Sequence, residues 1–142
     1  MIVSVSAENQ NYWAELCASL WPHHSVEFFI KEREKNEHYQ NEFLYFVNDV
    51  AIAFVSLSLR HDYVEGTKSS PVGYLEGIYV KPEYRNQGVA RKMVEYAKKW
   101  AADKGCLEFA SDCLVENTDS RKFHNKVGFK EANTIVCFTM RL

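Results

Sequence analysis

The sequence has little of what several classes of protein require. Proline and glycine are scarce, with 3 and 6 of 142 residues, which excludes collagen-like and Pro/Gly-rich low-complexity chains. Charge of one sign is also lacking: the formal net charge is −2 and no run of Lys or Arg compensates locally, so we expect no nucleic-acid partner. The longest apolar runs, such as AIAFVSL, are too short to cross a bilayer, so we expect no membrane partner either.

Metal-ligand and disulfide patterns are lacking as well. The four cysteines (Cys17, Cys106, Cys113 and Cys137) form no C-x-x-C pair, and no pair of histidines at ligand spacing accompanies them. We therefore expect no metal site. The first ten residues lack the basic segment and apolar stretch of a secretory signal. Reduced, mostly buried thiols in a cytoplasmic protein are the prediction, and two disulfides are the alternative.

The chain is rich enough in apolar residues, at 46%, to bury a core, and its length fits one domain over residues 1–142. Alternation of apolar and polar residues predicts a strand at residues 2–6. Apolar runs bounded by turn or loop residues predict further strands at 43–47, 51–59, 73–80, 107–112 and 129–141. Helical periodicity predicts four helices: two capped by Ser6 and Ser25, one between Gly88 and Gly105, and one over residues 118–127. Strands interleaved with helices in this order predict an α/β fold, with a mixed central sheet flanked by helices.

The stretch RNQGVA, from Arg85 to Ala90, lies between a β-branched strand and an amphipathic helix. The first turn of a helix has N–H groups without intrahelical partners, and these can hold a pyrophosphate. Gly88 would let the backbone approach such a ligand, and Arg85 could add a charge-assisted contact. The spacing R-x-x-G-x-A matches neither the dinucleotide motif nor the P-loop. A simple turn before a helix is therefore the alternative.

In its setting this stretch resembles the acyl-CoA loop of the Gcn5-related N-acetyltransferase (GNAT) family, because it follows the strand end Ile78-Tyr79-Val80 and a KPEY turn. The later stretch N-x-x-S-x-x-F-H-x-K-x-G-F, from Asn117 to Phe129, is similar to the family helix that lies beside the pantetheine arm. The resemblance implies a GNAT fold and acetyl-CoA as acetyl donor. The cofactor contacts that it implies are Ile78, Tyr79, Val80, Arg85, Asn86, Gln87, Gly88, Val89, Ala90, Arg91 and Asn117.

Two features of catalysis are implied by the same resemblance. A bulge splays the strand before the loop in this family, so amides near Ile78 and Val80 are expected to bind the pantetheine arm and the thioester carbonyl. The family usually has Tyr where this chain has His124, in a position to protonate the leaving thiolate. Histidine can perform that step. The alternative is a histidine that only packs against the cofactor.

A narrower resemblance is carried by residues 60–80, by LWP at 20–22 and by EFASD at 108–112. These segments are similar to those of the short, homodimeric bacterial aminoglycoside 6'-N-acetyltransferases, which also carry His in place of Tyr. A polycationic, hydroxyl-rich substrate needs carboxylates and aromatic faces, and the substrate contacts implied are Trp21, His24, Tyr63, Glu76, Asp112 and Asn133. Asn133 stands where the subfamily has Glu. The alternatives are that Glu76 is solvated or paired with Arg60 or Lys81, and that Trp21 is a core aromatic.

We predict direct attack of the amine on the thioester in a ternary complex, with Glu76 orienting or deprotonating the amine. Cys113 has no neighbouring base in sequence and is not predicted to be a nucleophile. Two other functions stay open: the same chemistry on a polyamine, another small amine or a protein N-terminus, and non-catalytic acyl-CoA binding by a regulator.

The terminal apolar strand predicts a two-fold homodimer with the C-terminal strands at the interface, near the substrate cleft. A monomer whose edge is covered by the loop at residues 62–71 is the alternative.

Overall fold

The computed structural model describes residues 1–35 and 41–142. Within them, the helices and the first five strands follow one another in the predicted order. They are β1 (Ile2–Ser4), α1 (Gln10–Leu20), α2 (Val26–Lys35), β2 (Glu42–Val47), β3 (Val50–Arg60), β4 (Val72–Val80), α3 (Val89–Asp103), β5 (Phe109–Ser111) and α4 (Thr118–Lys126). A short 3-10 helix at Pro82–Tyr84 lies between β4 and α3.

The strands form one mixed sheet in the order β1-β2-β3-β4-β5. The first three pairings are antiparallel, and β4 pairs with β5 in parallel. Helices α1 and α2 pack on one face, where Trp13 and Phe54 are fully buried, and α3 packs on the other, where Met93 contacts Ile52 and its neighbours. The mixed sheet flanked by helices is therefore confirmed.

The helix caps are only partly as predicted. The Ser25 hydroxyl accepts a hydrogen bond from the Phe28 amide and starts α2. Ser6 does not cap α1, which begins four residues later with Asn9 at its N-cap. The Ser6 hydroxyl accepts from the Glu8 amide and the Asn9 side chain accepts from the Ser6 amide. These local bonds form a turn that competes with the first turn of a helix.

The predicted final strand at residues 129–141 is wrong for the single chain. Residues 129–142 contain no helix or strand, and five of their large apolar side chains are exposed (Ile135, Val136, Phe138, Met140 and Leu142). The pattern of side chains is strand-like, but a strand also needs a neighbouring backbone with free N–H and C=O groups. Within one chain this tail does not pair with the sheet.

All four cysteines are unpaired, so the two-disulfide alternative is wrong. The expectation that they are mostly buried is also wrong: Cys17 is buried and Cys106 half-buried, but Cys113 and Cys137 are exposed. Cys137 is exposed because it belongs to the tail that does not join the sheet. No helix in the described ranges is both long and apolar enough to span a membrane.

Candidate active site

A bulge in β4 opens the sheet at Glu76. Ser56 of β3 lies opposite Gly77, and the next residue of β3 lies opposite Leu75, so Glu76 is the extra residue. A bulge of this kind bends the strand and increases its twist. Pairing between β4 and β5 ends at Leu75 and Ser111, whereas β4 continues to Val80. The predicted splay is therefore present, and the segment 76–80 of β4 is not paired with β5.

The amides of Ile78 and Val80 face this unpaired side. The Lys81 amide donates to the Ile52 carbonyl of β3 at 2.9 Å. Because backbone groups alternate between the two sides of a strand, the amides of Val80 and Ile78 point the other way. The Arg85 Nε donates to the Val80 carbonyl at 2.8 Å from that same side.

The loop that follows presents the beginning of α3 to open space. Asn86 and Gly88 both have left-handed backbones, with φ of 60° and 81°. Gly88 is the N-cap of α3 and supplies no side-chain cap. A Cβ built on Gly88 would meet no protein atom within 4 Å. Unpaired amides at a helix start, next to residues of alternating handedness, form an anion site that fits a pyrophosphate.

The remaining predicted cofactor residues have contacts within the protein. The Arg85 guanidinium lies 5.4 Å from the ring centre of Tyr79, and Gln87 donates to a carbonyl of the preceding 3-10 helix at 3.2 Å. Arg91 donates to the Lys126 carbonyl at 2.8 Å and so joins α3 to the end of α4. At the start of α3, Val89 is buried and Ala90 is half-buried. Asn117 caps α4, because its side-chain oxygen accepts a hydrogen bond from the Ser120 amide at 3.1 Å.

His124 belongs to α4, and its imidazole lies beside Ser111 at the end of β5, where β4 and β5 separate. Its Nδ1 is 2.7 Å from the Ser120 carbonyl and its Nε2 is 2.8 Å from the Ser111 hydroxyl. The Ser111 hydroxyl is also 3.2 Å from the Leu75 carbonyl of β4. The centre of the Phe129 ring lies 5.2 Å from that of the imidazole, with the two rings tilted at 55°. His124 is thus fixed beside the gap in the sheet.

A cavity of about 890 Å³ opens between the α1–α2 region and strands β3 and β4. Four of the predicted substrate residues line it: Trp21, His24, Tyr63 and Glu76. Trp21 lies against Gly77 of β4, where an added Cβ would come within 2.6 Å of the indole. The Trp21 ring also lies about 6 Å from the ring centres of core phenylalanines, so Trp21 both lines the cavity and packs against the core.

The predicted carboxylates are joined in one network. Glu76 Oε1 accepts from the Ser58 hydroxyl at 2.6 Å and from Arg60 Nε and Nη2 at 3.0 and 2.8 Å, and Glu76 Oε2 accepts from Arg60 Nη2 at 2.9 Å. The Arg60 guanidinium lies 3.4 Å above the Tyr74 ring, and the Tyr74 hydroxyl donates to Asp112. Burial and this contact with Asp112 raise the pKa of Tyr74, which keeps it protonated as a donor. The alternative pairing of Glu76 with Arg60 is therefore what the structure shows.

Sequence reasoning missed a second carboxyl in the cavity, that of Glu42. It is 2% exposed and accepts hydrogen bonds from the Trp13 indole at 3.2 Å and from the Ser56 hydroxyl. Burial raises the pKa of Glu42 to about 8, although the bonds from Ser56 and Trp13 oppose this rise. The alternation of Ser56, Ser58 and Arg60 on β3 signals a polar face, but no such pattern marks Glu42, which comes directly before the predicted strand.

Asn133 is separate from this group. Its amide donates to Glu65 at 2.6 Å, in the loop at residues 62–71. The same loop approaches Ala132, which lies 2.5 Å from a Cβ built on Gly66. In the described part of the chain, no three His, Cys, Asp or Glu side chains are grouped as metal ligands would be.

The chain is similar to known proteins over most of its length. Residues 9–129 match the model of the acetyltransferase (GNAT) family. An aminoglycoside N(6')-acetyltransferase type 1 of Salmonella typhimurium is 38% identical over 133 residues, covering 92% of each chain. Another protein of that name, from Serratia marcescens, is 35% identical over 145 residues, covering 100% of this chain and 99% of the other.

Solved structures resemble the whole fold. The structure of AAC(6')-Iy in complex with the bisubstrate analogue CoA-S-monomethyl-acetylneamine superposes with a TM-score of 0.92 at 36% identity, covering 100% of this chain and 98% of the other. The apo structure of the 6'-N-acetyltransferase AAC(6')-IG from Acinetobacter haemolyticus superposes with a TM-score of 0.93 at 35% identity, covering 100% and 99%.

Proposed function

The chain belongs to the acetyltransferase (GNAT) family, and we propose that it transfers the acetyl group of acetyl-CoA to the 6'-amine of an aminoglycoside. The position of Glu76 carries this proposal. Glu76 is the bulge residue at which β4 separates from β5, and it also lines the large cavity. One residue thus borders both the gap suited to a thioester and the cavity suited to a cationic substrate.

The acetyl donor is proposed to bind along the unpaired side of β4 and the start of α3. Open space at Gly88 and the two left-handed residues of the loop support pyrophosphate binding by the first amides of α3. The amides of Ile78 and Val80 would hold the pantetheine arm and stabilise the oxyanion that forms on the thioester carbonyl.

The aminoglycoside is proposed to occupy the cavity lined by Trp21, His24, Tyr63 and Glu76. Carboxylates attract its ammonium groups, and aromatic faces cover its sugar rings. Asp112, which accepts a hydrogen bond from the Tyr74 hydroxyl, would add its negative charge to that of Glu76. Asn133 contributes only if the tail moves from its contact with Glu65, for example on dimerisation.

The reaction we propose is a direct transfer. The bound ammonium loses a proton to Glu76 or to water, and the free amine attacks the thioester carbonyl without forming a covalent acyl-enzyme. The C–S bond of the tetrahedral intermediate then breaks, and the nitrogen releases its second proton to solvent as the amide forms. Glu76 Oε1 already accepts three hydrogen bonds, whereas Oε2 accepts one. We therefore assign Oε2 to the amine, which it orients or deprotonates directly or through water. His124, beside the gap between β4 and β5, is the proposed source of the proton that the leaving thiolate takes.

We propose further that residues 1–142 form one domain that assembles as a two-fold homodimer. The exposed apolar tail supports the dimer, because a second chain could supply the backbone partner that its strand-like pattern requires. The loop at residues 62–71 contacts the beginning of the tail, at Ala132 and Asn133, while residues 134–142 are exposed. Four unpaired cysteines support a reducing compartment, so we place the reaction in the cytoplasm.

A second candidate substrate is a polyamine or another simple amine, since the Glu76 and Asp112 network suits any cation. Release of CoA thiol from acetyl-CoA, screened over aminoglycosides, polyamines and amino-terminal peptides, distinguishes these functions. We expect release with aminoglycosides at a higher kcat/KM than with the other amines. Preference for a polyamine or peptide would reject the aminoglycoside, and binding of acetyl-CoA without any release would favour a regulator.

A further inference from the structure

Both ring nitrogens of His124 already have partners in the protein. Nδ1 is 2.7 Å from the Ser120 carbonyl, which can only accept, so Nδ1 carries a hydrogen. Nε2 is 2.8 Å from the Ser111 hydroxyl. Because a carbonyl fixes the proton on Nδ1, Nε2 is the nitrogen that gains or loses a proton, and it faces Ser111.

The Ser111 hydroxyl connects α4 to β4. It contacts His124 on one side and the Leu75 carbonyl at 3.2 Å on the other. Leu75 and Ser111 form the last pair before β4 and β5 separate. The hydroxyl therefore lies at the closed end of the gap, next to Glu76 and nearer to β4 than the imidazole is.

We propose that Ser111 is the catalytic residue that protonates the leaving thiolate, and that His124 acts through it. This inference rests on the proposed function, which puts the thioester in the gap. When the C–S bond breaks, its electron pair stays on sulfur as thiolate. Sulfur takes the hydroxyl proton of Ser111, and Ser111 takes the Nε2 proton of the imidazolium. Neutral His124 remains, with its Nδ1 hydrogen still on the Ser120 carbonyl.

Direct transfer from His124 to sulfur is the competing path. It would require Nε2 to release Ser111 and turn toward the gap. The ring is held against that motion by the Ser120 carbonyl and by Phe129, whose ring centre is 5.2 Å away. The relay needs no rotation of the imidazole, because the hydrogen bond between Nε2 and the Ser111 hydroxyl is already formed. Only the hydroxyl hydrogen of Ser111 turns, from the Leu75 carbonyl toward the sulfur.

Thr and Val provide a matched pair of substitutions at Ser111, since they share one shape and differ in the hydroxyl. We expect Ser111→Val to lower kcat by about 10²-fold, the usual size of a general-acid contribution, with little change in the KM for acetyl-CoA. Ser111→Thr should recover most of that loss. Calorimetry of acetyl-CoA binding and thermal unfolding check that both variants fold and bind the donor.

A double-mutant cycle with His124→Ala separates the two paths. In the relay, His124→Ala lowers kcat strongly in the wild type and only slightly in the Ser111→Val background, since the path is already cut. Equal losses in the two backgrounds, or equal kcat for the Thr and Val variants, would overturn the relay. If Thr and Val both unfold the protein, Ser111→Ala and Ser111→Cys replace them, with the same comparison. A wild-type protein that acetylates no amine would instead refute the proposed function.

Discussion

At the scale of single residues, Glu42 links the substrate cavity to stability. Its pKa is raised to about 8 by burial, from an ordinary value of 4.5. The folded state therefore binds the proton more tightly than the unfolded state, and stability falls as pH rises between these two values. We expect the free energy of unfolding to fall by up to a few kcal/mol over this range.

The free energy of unfolding of the Glu42→Gln variant, whose side chain cannot ionise, should fall much less over the same pH range. Its side-chain carbonyl still accepts from Ser56 and Trp13, so it is a conservative control. Urea unfolding near the two ends of this range, at about pH 5 and about pH 8.5, measures the difference. Equal losses in both proteins would assign the pH dependence to another group.

Asp112 is predicted to act on the substrate through charge. Asp112→Asn should raise the aminoglycoside KM more than it lowers kcat, because attraction to a cation stabilises ground and transition states alike. The effect should shrink as salt screens the field. Asp103→Asn, an exposed residue of α3 paired with Lys99, is the control and should not change KM. An unchanged KM for Asp112→Asn at low ionic strength would contradict the assignment.

Much of the site could be predicted from residue types and the family resemblance. Trp21, His24, Tyr63 and Glu76 do line one cavity. Which partner Glu76 takes could not be predicted, because the choice between Arg60 and Lys81 depends on strand register and on the bulge. Glu42 was missed because its burial is a tertiary property.

At the scale of elements, the start of α3 gives the clearest test of cofactor binding. Gly88 and Gly105 flank α3, both have left-handed backbones (φ of 81° and 88°), and neither has a protein atom near an added Cβ. Substitution by Val strains the backbone at both positions. Only at Gly88 would the side chain also occupy the space assigned to the pyrophosphate.

We therefore expect Gly88→Val to weaken acetyl-CoA binding by at least about tenfold, the loss that 1.4 kcal/mol would produce. Gly105→Val should lose stability with little loss of affinity. Calorimetric titration of folded protein compares them. Equal affinities of the two variants for acetyl-CoA would contradict the loop assignment.

The elements themselves were largely predictable because local patterns determine them. The hairpin between β2 and β3 turns at Asn48 and Asp49, which both have positive φ. Asn and Asp tolerate this backbone conformation better than most residues, so the pair favours a turn. The tail shows the limit. Its apolar pattern predicts a strand, yet strand formation depends on a partner backbone that a single chain does not offer it.

At the scale of the whole molecule, the tail determines the expected assembly. Light scattering at micromolar concentration should give twice the 16.5 kDa of one chain. Phe138→Asp should shift the mass toward the monomer, since Phe138 is 90% exposed within one chain and would be buried in the dimer. Leu107→Asp, 87% exposed on the α3–β5 connection, is the control outside the tail. A monomeric wild-type protein would end the dimer proposal.

The central claim is that the chain acetylates the 6'-amine of an aminoglycoside, and the most direct measurement varies only that group. Purified protein is incubated with acetyl-CoA and either tobramycin, which has a free 6'-amine, or an aminoglycoside with a 6'-hydroxyl in its place. We predict that tobramycin gains one acetyl group on the 6'-nitrogen, identified by mass and NMR, and that the hydroxyl compound is spared. Equal rates on the two compounds, or acetylation at another amine, would contradict the account.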